Sequence, residues 1–247
     1  MVGFGETSLG PLIAGTAREW PAVLPFPELL IVWLRDHVAV TANAQRLRVP
    51  RVVGCAPLEA TVAGTHMAAW LSASLESLGV RRAAGTLLAA AGAEPAGVVI
   101  HPGSGSARKN WGGWAEVMAV LRPARATVIA GPADEVPVEQ LLAAWPAGAA
   151  RPSVRKELTL EQLGRLLAGA ELYLGNDSGV THLAAAVGAP TVAVFGPTDP
   201  AVWAPVGARV MTVGGTAVEQ GVFAAAPRWP SVEQVLDAVR SLGGQAA

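Results

Sequence analysis

"GVVIHPGSGSARKNWGGWAEVMAVLR", Gly97 to Arg122, holds the reading on which the fold turns. Five residues of almost unbroken apolar character end in Pro-Gly, as a strand covered on both faces would. A run of small and polar residues follows. Trp114, Val117, Met118 and Leu121 then recur at helical spacing. Strand, turn and helix are therefore expected in that order. The next buried strand is "ATVIAGP", Ala126 to Pro132, with a helix over about 137–144 and a loop at "WPAGAARPS". "TLEQLGRLLAGA" opens with a capping-box pattern, Thr159 to Gln162, and offers Leu160, Leu163 and Leu167 as an apolar face. "ELYLGN" and "TVAVFG" complete a strand-helix alternation, which predicts a doubly wound parallel sheet with ligands at the carboxyl ends of its strands.

The first half is also α/β but less regular. "ELLIVWL" reads as a strand, "RVPRVVGCAP" as a second and "THMAAWLSASLESLGV" as a helix, with a Gly/Ala/Pro-rich linker at Ala89 to Ala96. Two α/β halves facing a cleft are expected, residues 1–90 and 97–247.

Composition narrows the function. Eighteen basic against nineteen acidic residues give a net charge of −1, without the basic surface that broad nucleic-acid binding needs. The single cysteine, Cys55, excludes an internal disulfide or a cysteine zinc cluster and reads as a small apolar filler. Neither a secretory leader nor an apolar run of about 20 residues is visible, so a cytoplasmic protein is expected, with contact at a membrane surface left open. Only Lys109 and Lys156 are lysines among the basic residues.

Two stretches carry chemistry. In "HPGSGSARKNW" the backbone of Ser104, Gly105 and Ser106 can turn N–H groups toward an anion, and Lys109 adds a full charge, as a diphosphate cradle would. The spacing is neither a P-loop nor G-x-G-x-x-G. In "LGNDSGVTHLAAAVGAP", Asp177 or Ser178 can cap a helix whose buried face is Val180, Leu183, Ala184 and Val187 and which Gly188 and Pro190 end. The N–H groups of Ser178 and Gly179 make a second anion site, and His182 stands one turn on. A carboxylate repels phosphate, so Asp177 suits sugar hydroxyls. Thr198 and Asp199 in "FGPTDP" could line a pocket but read better as turn residues, and Glu135 in "GPADE" is a candidate for a ribose hydroxyl.

These segments resemble glycosyltransferase family 9, the heptosyltransferase type, in which D-[TS]-G-x-x-H-x-x-[AG]-A runs into F-G-x-[TS]-x-P. "DSGVTHLAAA", "FGPTDP" and "HPGSGSARKNW" match in order, and the likeness spans about Val98 to Val213. It implies a GT-B architecture of two Rossmann-like domains, here with a shortened first domain. It also implies an inverting, metal-independent transfer from a nucleotide-diphosphate sugar, typically ADP-heptose, to a saccharide or glycolipid acceptor such as the lipopolysaccharide core, without a cofactor. Carried over, Ser104, Gly105, Ser106 and Lys109 hold the diphosphate, Ser178 and Gly179 give it N–H groups, Asp177 holds the sugar and His182 supports that loop. The family's general base is an aspartate after a glycine near the N-terminus. Gly5-Glu6 stands there in this chain, which offers Glu6 as base, with Asp36 as a second candidate. Two other classes compete. A degenerate relative would bind the nucleotide sugar without transfer. A dinucleotide-dependent oxidoreductase would need a G-x-G-x-x-G loop and a downstream acid, which are not found.

Overall fold

The computed structural model describes residues 9–22, 24–34, 36–56, 65–80, 88, 92–216 and 223–244. The chain divides into two compact units, residues 1–59 with 73–78, and residues 60–72 with 79–247. In the first, α1 (Gly10–Ile13) precedes β1 (Leu29–Trp33), α2 (His37–Arg46) and β2 (Arg51–Cys55). β1 and β2 pair in parallel, Leu29 opposite Arg51. A small core of Leu12, Ala17, Val32 and Val40 holds this unit together. The expected helix over "THMAAWLSASLESLGV" is shorter: α3 (Met67–Ala73), all but its last residue in the second unit, then a single 3₁₀ turn at Glu76–Leu78 in the first.

The second unit is a six-stranded parallel sheet. Its elements are β3 (Gly97–His101), α4 (Trp114–Leu121), β4 (Ala126–Ala130), α5 (Glu135–Ala143), β5 (Ser153–Lys156), α6 (Leu160–Ala168), β6 (Ala170–Asn176), α7 (Gly179–Ala186), β7 (Thr191–Phe195), α8 (Pro200–Trp203), β8 (Val210–Gly214) and α9 (Val232–Gly244). The strand order is β5-β4-β3-β6-β7-β8, so direction of growth reverses between β3 and β6. That switch point opens a crevice above the carboxyl ends of the two strands.

β3, β4 and β7 are buried along their whole length because both faces are covered. On β3, Val98 and Ile100 join the core with Trp114, Val117, Met118 and Leu236, while Val99 points the other way toward Leu167, Tyr173 and Ala184. Two expectations change. α5 begins at Glu135, since Pro137 is tolerated in the first turn, where its missing N–H has no partner to lose. Leu160 is 68% exposed, and the buried positions of α6 are Gly164 and Leu167, with Leu163 packed partly against the same core. β5 was not foreseen: "SVRK" is a fully exposed edge strand with no apolar alternation to reveal it. Among the described residues no helix is long and apolar enough to cross a membrane.

Candidate active site at the strand switch point

The turn after β3 is held down from beneath. Asn176, fully buried at the end of β6, donates through Nδ2 to the carbonyls of Pro102 (2.7 Å) and Gly103 (3.2 Å) and accepts from the Trp111 amide through Oδ1 (3.1 Å). Its amide thus staples the 102–111 loop to the neighbouring strand. Within the loop, Ser104 is buried and its hydroxyl lies 2.6 Å from the Ser106 carbonyl. That group braces the turn, and the outward face of the loop is the exposed backbone at Gly105 and the half-buried Ser106.

Lys109 reaches across to Asp177, Nζ to Oδ2 at 3.3 Å. The same carboxylate oxygen accepts from Thr198 Oγ1 at 2.8 Å. Asp177 is buried to 7% exposure, so its charge is compensated where water is scarce. Both partners sit on Oδ2, which leaves Oδ1 as the acceptor for a further donor. A neighbouring cation also removes the objection that this carboxylate would repel a phosphate beside it. Thr198 therefore does more than shape its turn, whereas Asp199 caps α8 by accepting from the Ala201 amide at 2.9 Å.

Ser178, rather than Asp177, is the N-cap of α7: extended backbone (φ −153°, ψ 161°) lets its hydroxyl accept from the Thr181 amide. His182 N–H goes to the Ser178 carbonyl, so the helix leaves the N–H groups of Gly179 and Val180 without an intrahelical acceptor. Gly188, at φ +86°, closes the helix in the left-handed region, and Pro190 follows. His182 keeps an exposed edge. Loss of hydration nevertheless holds its imidazole below the ordinary value, with Asp177 pulling the other way.

Beneath these turns lies a buried polar chain that crosses three strands. His101, last residue of β3, donates through Nε2 to Asp134 Oδ2 at 2.8 Å, because an ionised carboxylate can only accept. Asp134 heads α5, and Oδ2 also takes the Gly131 amide at 2.7 Å. Burial pushes the Asp134 pKa up, but the His101 and Gly131 bonds outweigh it and leave the carboxyl below its ordinary value. The other face of the His101 ring, Nδ1, lies 3.4 Å from Ser178 Oγ. Thr181 Oγ1, 3.0 Å from the Tyr173 hydroxyl, donates to the Asn176 carbonyl. Serine, histidine and aspartate make up the composition of a nucleophilic triad, but the serine is buried and its oxygen caps a helix. The arrangement serves structure at the rim.

Of the residues expected from sequence, Ser104, Gly105, Ser106, Lys109, Asp177, Ser178, Gly179 and His182 gather on the turns after β3 and β6, flanking the switch point. Glu135 stands exposed in the first turn of α5, at the end of neighbouring β4. Asp36 is an exposed residue ahead of α2 in the other unit. Glu6 lies outside the described residues. Sequence reasoning passed over Asp134 and Asn176 and favoured a turn role for Thr198; polar residues just after apolar strands were the available signal. A cavity of about 710 Å³ opens on the α4–α5 side of the 102–112 loop, lined by Ser104, Gly105 and Ser106 together with Trp114, Val136 and Leu141, whereas neither Lys109 nor Asp177 faces it.

The order of these motifs along a Rossmann-type sheet is that of a known enzyme family, and the profile of glycosyltransferase family 9 (heptosyltransferase) matches residues 33–225. The chain belongs to glycosyltransferase family 9. Family 9 relatives with curated roles align over a short core. Lipopolysaccharide heptosyltransferase 1 of Escherichia coli K12 is 43% identical over 53 residues, 22% of this chain and 17% of that protein. Its Pseudomonas aeruginosa counterpart is 43% identical over 54 residues, 15% of its length. The alignments thus span under a fifth of these relatives. Among solved structures, the family 9 glycosyl transferase from Veillonella parvula superposes with a TM-score of 0.66 at 19% identity, over 88% of this chain and 74% of that one. An E. coli heptosyltransferase solved with ADP gives 0.58 at 21% identity, over 90% and 74%. The shared fold is GT-B, with parallel sheets in both units.

Proposed function

We propose that this family 9 chain transfers a sugar from a nucleotide-diphosphate donor to a saccharide acceptor. The observation that carries the reading is the Lys109–Asp177 pair, braced by Thr198, at the switch point and beside the free N–H groups of α7. A diphosphate needs fixed donors and a cation; a glycosyl unit next to it needs a fixed acceptor. Both are supplied within one side chain's reach. In this reading the backbone at Gly105, Ser106, Gly179 and Val180 with Lys109 stabilises the charge that grows on the departing diphosphate. Asp177 Oδ1 orients a sugar hydroxyl.

The names of the relatives suggest the substrate class: ADP-heptose as donor and lipopolysaccharide as acceptor. We extend the proposal to inversion at the anomeric carbon without a metal or cofactor, in the cytoplasm, against an acceptor held at the membrane surface. Calorimetry and thermal shift with ADP, UDP and GDP in the presence of EDTA test it. One nucleotide should bind, and Lys109→Ala should lose it. Binding in EDTA followed by release of the nucleoside diphosphate only with an acceptor present would complete the case. Binding without any turnover would instead favour a relative that retains the pocket alone.

A further inference from the structure

We propose that His101 is a positioning residue of the donor site: by holding Asp134 through one ring nitrogen and Ser178 through the other, it fixes the spacing of the turns that face the diphosphate. The inference rests on the nucleotide-sugar reading above and adds a residue that touches no substrate.

Three neighbouring strands meet in this contact. His101 ends β3, Asp134 follows β4 and Ser178 follows β6, and the order β4-β3-β6 places the histidine in the middle. Each end of the bridge bears on a group the donor would meet. Asp134 is wedged under Gly103, the second residue after β3: a Cβ built there would lie 1.8 Å from Asp134 Oδ1, so the carboxylate occupies the space any larger residue would need. Moving Asp134 moves the loop that leads to Ser104, Gly105 and Ser106. Ser178 is the cap of α7, and its position sets where the N–H groups of Gly179 and Val180 point.

The ring suits the task because it is rigid and offers a donor on one side and an acceptor on the other. With Nε2–H committed to Asp134, Nδ1 is left as an acceptor facing Ser178 Oγ at 3.4 Å, and that oxygen also receives the Thr181 amide and lies 3.1 Å from Thr181 Oγ1. A buried polar pair is a poor way to fill a core, since well-packed apolar residues of the same volume often stabilise as much or more. His101 is 3% exposed and Asp134 5%, directly beneath the loop. Such a pair is explained by the geometry it enforces.

The test is calorimetric titration of ADP, UDP and GDP into the full chain and into His101→Ala, His101→Asn, His101→Gln and Asp134→Asn, with thermal melts to establish folding. For the nucleotide that wild type binds, His101→Ala should weaken affinity at least roughly tenfold, the scale on which small displacements at a site are felt. Asparagine restores only the Ser178 side and glutamine only the Asp134 side, so each should recover part of the loss. Asp134→Asn keeps an oxygen for both Nε2–H and the Gly131 amide and should stay near wild type. If His101→Ala fails to melt cooperatively, the two amide variants and the wild-type ring decide. The ¹⁵N resonances of His101 should show Nε2–H protonated and should shift when the nucleotide is added.

Unchanged affinity in folded His101 variants overturns the inference, as does a His101 signal indifferent to the nucleotide. Damage by Asp134→Asn equal to that by His101→Ala would also overturn it, since charge would then matter and spacing would not. If wild type binds none of the three nucleotides, the donor reading itself falls, and the bridge with it.

Discussion

Asp177 shows how one carboxylate can be buried, charged and still available. Lys109 and Thr198 share Oδ2, so the second oxygen keeps its lone pairs for a donor hydroxyl. Asp177→Asn should retain much of the shape and lose the charge; kcat/KM for transfer is expected to fall by about two orders of magnitude, the cost of a misplaced reacting group. Thr198→Val removes only the brace. A fall of roughly tenfold, with nucleotide affinity unchanged, would separate orientation of the sugar from binding of the diphosphate. Lys109 and Asp177 were legible in the sequence because a lone lysine beside Ser-Gly and an acid ahead of an apolar helix have little reason to be there. Asp134, Asn176 and the contact of Thr198 with Asp177 were not legible. Their partners lie 33, 65 and 21 residues away, and nothing local records a contact made only when strands assemble.

Elements were easier to read than contacts, since they answer to local pattern. Thr159 caps α6 through a complete capping box, its hydroxyl accepting from the Gln162 amide at 3.2 Å while Gln162 Oε1 accepts from the Thr159 amide at 2.9 Å. Thr159→Ala should lower stability by about 1 kcal/mol in a denaturant melt, with nucleotide affinity intact. Ser178→Ala is the instructive contrast. It removes a cap of similar worth, about 1 kcal/mol, yet should also weaken nucleotide binding because the cap orients donor-facing N–H groups. The pattern misled at Leu160, where helical spacing suggested burial but the start of α6 overhangs solvent. It was silent at β5, where pairing with β4, from Thr127 opposite Ser153 to Ala130 opposite Lys156, makes a strand of residues that no hydrophobic period marks. Charged side chains on that outer strand also discourage another sheet from adding to it.

At the scale of the molecule, alternation alone gave the parallel sheet, and the switch point then gave the site. The balance of charge predicts how the whole fold meets acid. Asp134 titrates below its ordinary 3.8 when folded. Its contribution is therefore complete above that value and is lost as the pH falls through the lower, folded one. His182 works in the same direction higher up. With its imidazole held below 6.5, the unfolded chain takes up the proton first and stability declines as the pH drops from there. Melting temperature measured from neutral to acid pH should fall in two stages, and Asp134→Asn should flatten the lower one.

The scarcity of lysine has an experimental use. Lys109 is partly sheltered and ion-paired, whereas Lys156 lies exposed on the sheet edge, 47 residues along the same chain. An amine-selective acylating reagent will therefore meet two side-chain targets of unequal reactivity. The ratio of the two modified peptides, read by mass spectrometry, makes the edge lysine an internal standard for the other. Protection of Lys109 alone by a nucleotide sugar would report occupancy in crude lysate, with no purified acceptor and no label on the ligand.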